Sequence, residues 1–305
     1  RMRERGIPFL RLNTEDFGDA FRLTISMDSR EAVGFAHLTD GRTIRTDEIT
    51  GAYIRRPALP NPAEDVEDTH RDFAAREMIE TLRSFWTLIP DERWLNPPNA
   101  LHSAAVKTRQ LMAARQCGFD IPPTCVSDHA GAIAEFTTRW NAPFISKAVK
   151  SGFVSVKGEY RLAATTRLPA TFPADLADYA ATPAMYQPEI RKAHDLRVTV
   201  VDDRVYAAAI YSQEAAETEV DWRVDIPGGT ELRHEAVALE PQVEEACRRI
   251  TRVLGLRYSA IDLIRTMDGG AVFLEVNPNG EWMWLEDLCG FPLRDTIIDA
   301  LARAA

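Results

Sequence analysis

Two spacings of apolar residues run through this chain, and each predicts an element. From Tyr258 to Gly280, two apolar, β-branched runs flank Asp268-Gly269, a dipeptide that between alternating hydrophobics signals a β-hairpin. Pro241 to Leu254 has the spacing of an amphipathic helix. After Asn99, the residues Leu101, Ala104, Ala105, Thr108, Leu111 and Met112 share one stripe at i, i+3, i+4, i+7, with Asn99 placed to cap that helix and Cys117-Gly118 to end it. Further helices are expected from about Asp68 to Trp86, over Ala130 to Trp140 and from about Pro292 to Ala302. Strands are expected at Phe9 to Leu12, Ala52 to Arg55, Ile121 to Val126 and Phe144 to Val149, and on either side of Asp202-Asp203, over Leu196 to Val201 and Arg204 to Tyr211. Met185 to Ile190 reads as a hinge.

These elements mix helix and strand as an α/β (α+β) protein does. Asn96-Pro97-Pro98-Asn99 opposes helix and central strand alike, so the first boundary is expected there and the domains at 1–98, 99–184 and 185–305. Arg1 to Arg5 reads as the end of a helix, with Gly6-Ile7-Pro8 as its stop. An α/β domain with a parallel sheet normally begins with a strand, so a first strand and most of a helix are expected to be missing from the N-terminus.

The 305 residues are 45% hydrophobic, ordinary for a globular protein. With no run of about 18 apolar residues and no signal-peptide pattern, no membrane span is expected and the location reads as cytoplasmic. Cys117, Cys125, Cys247 and Cys289 lack zinc-like spacing and read as buried thiols. The net charge of −10 argues against nucleic acid as a partner, because phosphate neutralisation needs a basic surface. Any polyanion must find a local pocket, and the lysines offer one: there are only five, Lys107, Lys147, Lys150, Lys157 and Lys192, all in the middle third.

The hairpin carries the most specific chemistry. A two-residue loop at Asp268-Gly269 sets Met267 against Gly270, and counting back brings Asp262 opposite Glu275. Opposed like charges destabilise a sheet, with β-carbons about 4.5–5.5 Å apart, so a cation is expected between them. Asn277, two residues on, shares the strand face of Glu275. Carboxylate and amide oxygens suit Mg²⁺ or Mn²⁺. The alternatives are a carboxylate on a solvated edge or another register. Lys147 shares a strand face with Ile145 and Val149, where a charge needs a bound phosphate or must snorkel at the strand end. Ser151-Gly152 and Gly158 can form a loop over phosphates or an ordinary hairpin. Glu189 and Asp195 can accept ribose hydroxyls, and Arg197 can stabilise a transferring phosphoryl group; each can equally be a surface ion pair. Trp282 and Trp284, of one parity, suit a peptide groove or the core, and Arg55-Arg56 an acidic peptide or a salt bridge.

The order of lysine, lysine, small-residue loop, hinge, arginine and metal cluster resembles that of ATP-grasp ligases. Arg55-Arg56-Pro57, the Asn96 to Lys107 segment with Gln110-Leu111, Gly118 to Thr124, Asp195-Leu196-Arg197-Val198, Asp221-Trp222-Arg223 and Glu275 to Glu286 resemble the ATP-grasp maturases of ribosomal peptides, the microviridin-type or graspetide family. The likeness covers essentially the whole chain. It implies an ATP-grasp fold of three subdomains with ATP between the central and C-terminal ones. Lys107 and Lys147 would then hold phosphates, the backbone of Gln187, Glu189 and Ile190 would meet adenine, and Asp195 the ribose. Asp262, Glu275 and Asn277 would hold Mg²⁺, with Arg197 and Arg223 facing an acyl phosphate. Pro188 stands where related enzymes often carry an acidic residue, which leaves the ribose contact between Glu189 and Asp195. The implied partner is a precursor peptide with a leader and an acidic core, and the implied assembly a homodimer. The rival readings are a ligase of free amino acids, resembling glutamate-adding enzymes, and an ATP-binding regulatory protein without turnover.

Overall fold

The helix expected from Asp68 forms as α1, Asp68–Thr87. Near its C-terminal end it buries Leu82 and Phe85, with Phe85, Ile89, Trp94 and Ala36 in one apolar cluster. Ala36 belongs to an antiparallel meander of β1 (Phe21–Met27), β2 (Ala32–Leu38) and β3 (Thr43–Arg45). Gly34 on β2 is where Phe85 comes close: a Cβ there would lie 2.8 Å from both the Phe85 ring and Thr46 Cγ2. The computed structural model describes residues 1–150, 153–156, 159–169, 181–224 and 231–302, with 153–156 and 159–162 described by their backbone. Ser151, Gly152, Lys157 and Gly158, the expected phosphate loop and its lysine, lie outside the described residues.

The chain forms two compact units. The first comprises Arg1–Ser103, Gly255–Tyr258 and the chain from Pro292 onward, and the second Ala104–Leu254 and Ser259–Phe291. Residue 184 therefore falls inside the second unit, and the last helix belongs to the first. In the first unit Asn96 stitches distant segments together: its Oδ1 accepts from the backbone N–H groups of Arg257 and Tyr258, and its Nδ2 donates to Tyr258 O at 2.8 Å. The sheet here is an antiparallel meander, where a parallel one was expected. Phe9 to Leu12 is no strand, since no neighbouring strand pairs with it among the described residues, and Phe9 is 46% exposed. Ala52 to Arg55 contributes one bridge, Ala52 to Trp94.

The expected single helix after Asn99 is two helices, α2 (Pro98–Ala104) and α3 (Lys107–Gln116). Asn99 lies inside α2 and is not its cap. The break at Ala105-Val106 turns Met112 to solvent, at 62% exposure. In the second unit β4 (Cys125–Ser127), α4 (Ala130–Thr138), β5 (Phe144–Lys147), β6 (Phe153–Val156), β7 (Glu159–Leu162), β8 (Thr166–Arg167) and β9 (Ala184–Pro188) follow in turn. A four-stranded sheet has the order β4-β9-β5-β8, and β6 pairs with β7. β4 is shorter than expected because Pro122 and Pro123 have no N–H for a ladder. The expected hinge at Met185 to Ile190 is mostly strand: β9 pairs with β4 on one side and β5 on the other, which buries Met185 to Pro188.

A five-stranded sheet completes this unit. β10 (Lys192–Val201), β11 (Arg204–Ile210), β12 (His234–Val237), β13 (Tyr258–Thr266) and β14 (Ala271–Asn277) lie in the order β12-β11-β10-β13-β14. The helix α5 (Pro241–Val253) buries Ala246, Cys247 and Ile250 and contacts β10 and β11. After β14 comes α6 (Met283–Cys289), and then α7 (Leu293–Ala302) of the first unit.

Candidate active site

The hairpin β13–β14 sets Asp262 opposite Glu275, as expected, but by another route. Arg265 pairs with Ala271, and Thr266 N–H donates to Gly270 O at 2.9 Å. The loop is therefore three residues, Met267-Asp268-Gly269, with Gly269 at φ +90°, the left-handed residue that a three-residue hairpin needs. That loop alone would set Asp262 against Leu274. A register shift between Asp262 and Leu263 makes Leu274 an unpaired extra residue, and this bulge restores the pairing.

Each of the two carboxylates has a cationic partner within the chain. Arg197 Nη1 donates to both oxygens of Asp262, at 2.9 and 3.0 Å. Lys107 Nζ lies 3.2 Å from Glu275 Oε2 and donates to Ala148 O. Burial pushes the Asp262 carboxyl up, and Glu275 adds to this against the pull of Arg197. Burial pushes Glu275 the same way, but Lys107, Lys147 and Arg223 outweigh it and hold Glu275 below the usual carboxylate range. Asn277 is exposed, and its Oδ1 accepts from Asn279 N–H. Among the described residues no three His, Cys, Asp or Glu side chains gather to hold a metal ion. Two facing carboxylates and an amide oxygen form a hard donor set of the kind Mg²⁺ accepts, with the remaining positions open to water and phosphate.

Lys107, Lys147, Asp195, Arg223, Asp262, Glu275 and Asn277 line one cleft of about 270 Å³ in the second unit. Arg197 reaches it through Asp262. The Lys147 ammonium makes no hydrogen bond or ion pair among the described residues, and burial pushes it down to about 8 against the opposing pull of Glu275. Gln187, Glu189 and Ile190 are not among the lining residues. Gln187 is buried, its Nε2 donates to Thr124 Oγ1, and its Oε1 has no hydrogen-bond partner among the described residues. Both candidate ribose carboxylates are already held: Glu189 by Arg167 at 2.5 and 2.6 Å, and Asp195 by Lys192 at 2.7 and 3.0 Å and by Ser212 Oγ. Burial raises the Asp195 carboxyl in spite of Lys192.

Several lining residues have no individual role in the sequence, Lys150 being one of the clustered lysines only. Lys150, Thr165 and Asp221 face the cleft, as does Gln110. Gln110 explains the break between α2 and α3: its Nε2 donates to Ala104 O and Val276 O, and its Oε1 accepts from Val276 N–H. One amide thus ties a helix end to the strand that carries Glu275. Its signal in the sequence is slight, a polar residue on the side of an amphipathic helix. The shared parity of Trp282 and Trp284 presumes a strand, but the segment enters α6. Trp282 is buried, whereas Trp284 packs on Trp222, with ring centroids 5.7 Å apart, and edge-on to His234.

Residues 1–102 match the family described as MvdD pre-ATP grasp domain, and residues 177–301 the RimK-like ATP-grasp domain. Among solved structures, a Chryseobacterium gregarium RiPP-associated ATP-grasp ligase, in complex with ADP and a leader and core peptide, is similar over 100% of this chain and 91% of that one. Its TM-score is 0.88 at 23% identity. The Microcystis aeruginosa macrocyclase MdnB is similar over 98% of this chain and 92% of that one, with a TM-score of 0.78 at 27% identity. A probable alpha-L-glutamate ligase of Xanthomonas campestris is 38% identical over 110 residues, 36% of this chain. The chain aligns with 35% of that curated relative's length.

Proposed function

We infer that this chain, which belongs to the ATP-grasp ligases of ribosomal peptide maturation, activates carboxylates with ATP and closes crosslinks within a precursor peptide. A carboxylate is inert towards alcohols and amines at neutral pH. The ligase moves the γ-phosphoryl group of ATP onto an Asp or Glu side chain of the peptide, releasing ADP. A Ser or Thr hydroxyl, or a Lys amine, then attacks the acyl carbon, loses its proton and expels phosphate, leaving a macrolactone or macrolactam. Each ring costs the peptide one water, whose oxygen leaves on the phosphate.

The observation that carries this reading is the convergence of Lys107, Lys147, Arg223, Asp262 and Glu275 on one cleft. Lys107 and Lys147 hold the phosphates as point charges. Arg223, with Arg197 behind Asp262, faces the anion that develops as the phosphoryl group moves and as the acyl carbon becomes tetrahedral. Asp262, Glu275 and Asn277 would hold Mg²⁺, which supplies charge neutralisation on the phosphates when bound. The amide of Gln187 and the backbone through Glu189 and Ile190 receive the adenine, and Asp195 or Glu189 the ribose. For that, Asp195 exchanges its bond to Ser212 for one to the sugar. The partner is a leader-bearing peptide with an acidic core, and the assembly a homodimer acting in the cytoplasm.

Intact-mass spectrometry of a precursor encoded beside this protein, incubated with enzyme and Mg-ATP, tests the reading. Loss of one water per ring, abolished by Glu275→Gln, supports it. The matches to glutamate ligases favour a second reading, addition of free amino acids. An unchanged peptide mass with ADP released on addition of glutamate would favour that one.

A further inference from the structure

Asp221 is buried, its side chain only 4% exposed, and donors surround its carboxylate. Arg223 gives Nε to Oδ1 and Nη2 to Oδ2, both at 2.8 Å, and its backbone N–H to Oδ1 at 3.2 Å. The backbone N–H of Thr165 gives a fourth bond, to Oδ2 at 3.0 Å. Burial alone would raise this carboxyl, but the Arg223 hydrogen bonds and charge, with Thr165 N–H, bring it down to about 2, so the pair is ionised throughout the working pH range. Two parallel N–H···O bonds fix the plane of a guanidinium. Arg223 needs that, because its own side chain is 37% exposed and a long exposed side chain otherwise samples many rotamers. The fork uses Nε and Nη2 and leaves Nη1 turned to the cleft, 3.8 Å from Glu275 Oε1, beyond hydrogen-bond length.

We propose that Asp221 is a positioning residue of this ligase: anchored by Thr165, it clamps Arg223 so that Nη1 faces the carboxylate being activated. The inference rests on the ligase reading and adds to it a residue that acts through Arg223. Replacing Arg223 removes the donor, whereas replacing Asp221 leaves the donor present but unaimed. The two changes therefore act on one interaction, and their effects should not add.

Asp221→Asn is the informative variant. Its amide keeps the shape, but its NH₂ must meet N–H donors of Arg223 or Thr165, donor against donor, so the fork opens without a cavity. With ATP saturating, kcat for water loss from the peptide is expected to fall about 100-fold, the scale of an ångström misplacement, with little change in KM for ATP. Arg223→Ala combined with Asp221→Asn should be no slower than Arg223→Ala alone. A readout independent of turnover is the Arg223 Nε–H exchange rate by NMR, slow in the wild type and fast in Asp221→Asn. Additive losses in the double variant, or Nε–H exchange that does not change, would overturn the proposal. Failure of the wild type to consume ATP with the peptide would instead remove the ligase reading, while the exchange rate would still report whether Asp221 clamps Arg223.

Discussion

Lys147 shows how far a single residue can be read before its surroundings are known. An alternating strand with a lysine on its apolar face asks for an anion or for a way to snorkel out, and the cleft around Lys147, with its ammonium pushed down to about 8, makes a request for an anion titratable. The ammonium is charged below about 8 and neutral above it, so the nucleotide should bind best on the acid side. If only the charged form binds, the KM for ATP should rise about fivefold from pH 8 to pH 9. Lys147→Arg, charged throughout, should abolish that rise, and a flat wild-type profile would show that Lys147 does not meet the nucleotide. Gly280 is the opposite case, a residue whose role is to be absent. A Cβ there would stand 2.5 Å from Ala260 Cβ and 2.7 Å from Arg197 Nη2, so Gly280→Ala must displace the arginine that holds Asp262. A loss of about 1–3 kcal/mol in chemical denaturation is expected, the usual cost of overpacking. The glycine itself is plain in Asn-Pro-Asn-Gly, but what it makes room for is not, since Ala260 and Arg197 come from β13 and β10.

At the scale of elements, the hairpin is the most instructive. Counting from a two-residue turn reaches the right partners because two departures cancel: a third loop residue shifts the register one way and the bulge at Leu274 shifts it back. The pairing of Asp262 with Glu275 was thus legible while the loop and the bulge were not, because a bulge is set by local twist and packing and leaves no mark in an apolar pattern. The loop offers a separate check. Gly269 lies at φ +90° with open space where a Cβ would sit, so Gly269→Ala should cost about 1 kcal/mol of stability through backbone strain alone. Its kcat should match the wild type, and a loss of turnover would mean that the turn takes part in the chemistry. The break between α2 and α3 was hidden for a related reason. A stripe at i, i+3, i+4 continues through Ala105 whether the helix does or not, and only the Gln110 bonds to Ala104 and Val276 decide where it stops.

The whole molecule is two units, with the candidate site residues all in the second. A ligand that binds only folded protein stabilises the unit that holds it, by about 2.7 kcal/mol at a hundred times its dissociation constant. Scanning calorimetry with ADP is therefore expected to move the unfolding transition of the second unit and leave that of the first in place. A shift of both together would show that the units unfold as one. The sequence by itself determined the alternation that marks the hairpin carrying Asp262 and Glu275, the clustering of lysines, and the motifs that carry the family likeness, because these are properties of neighbours along the chain. Only the tertiary structure decided that Arg197 and Lys107 neutralise the two carboxylates, that Asp221 rather than solvent holds Arg223, and that the last helix belongs with the first hundred residues. Arg197 with Asp262, Lys107 with Glu275, and the last helix with the first unit join groups far apart in sequence; Asp221 and Arg223 stand only two residues apart, but the burial of Asp221 and its bond from Thr165 are tertiary. Buried charge must find a partner, a requirement that no local period records.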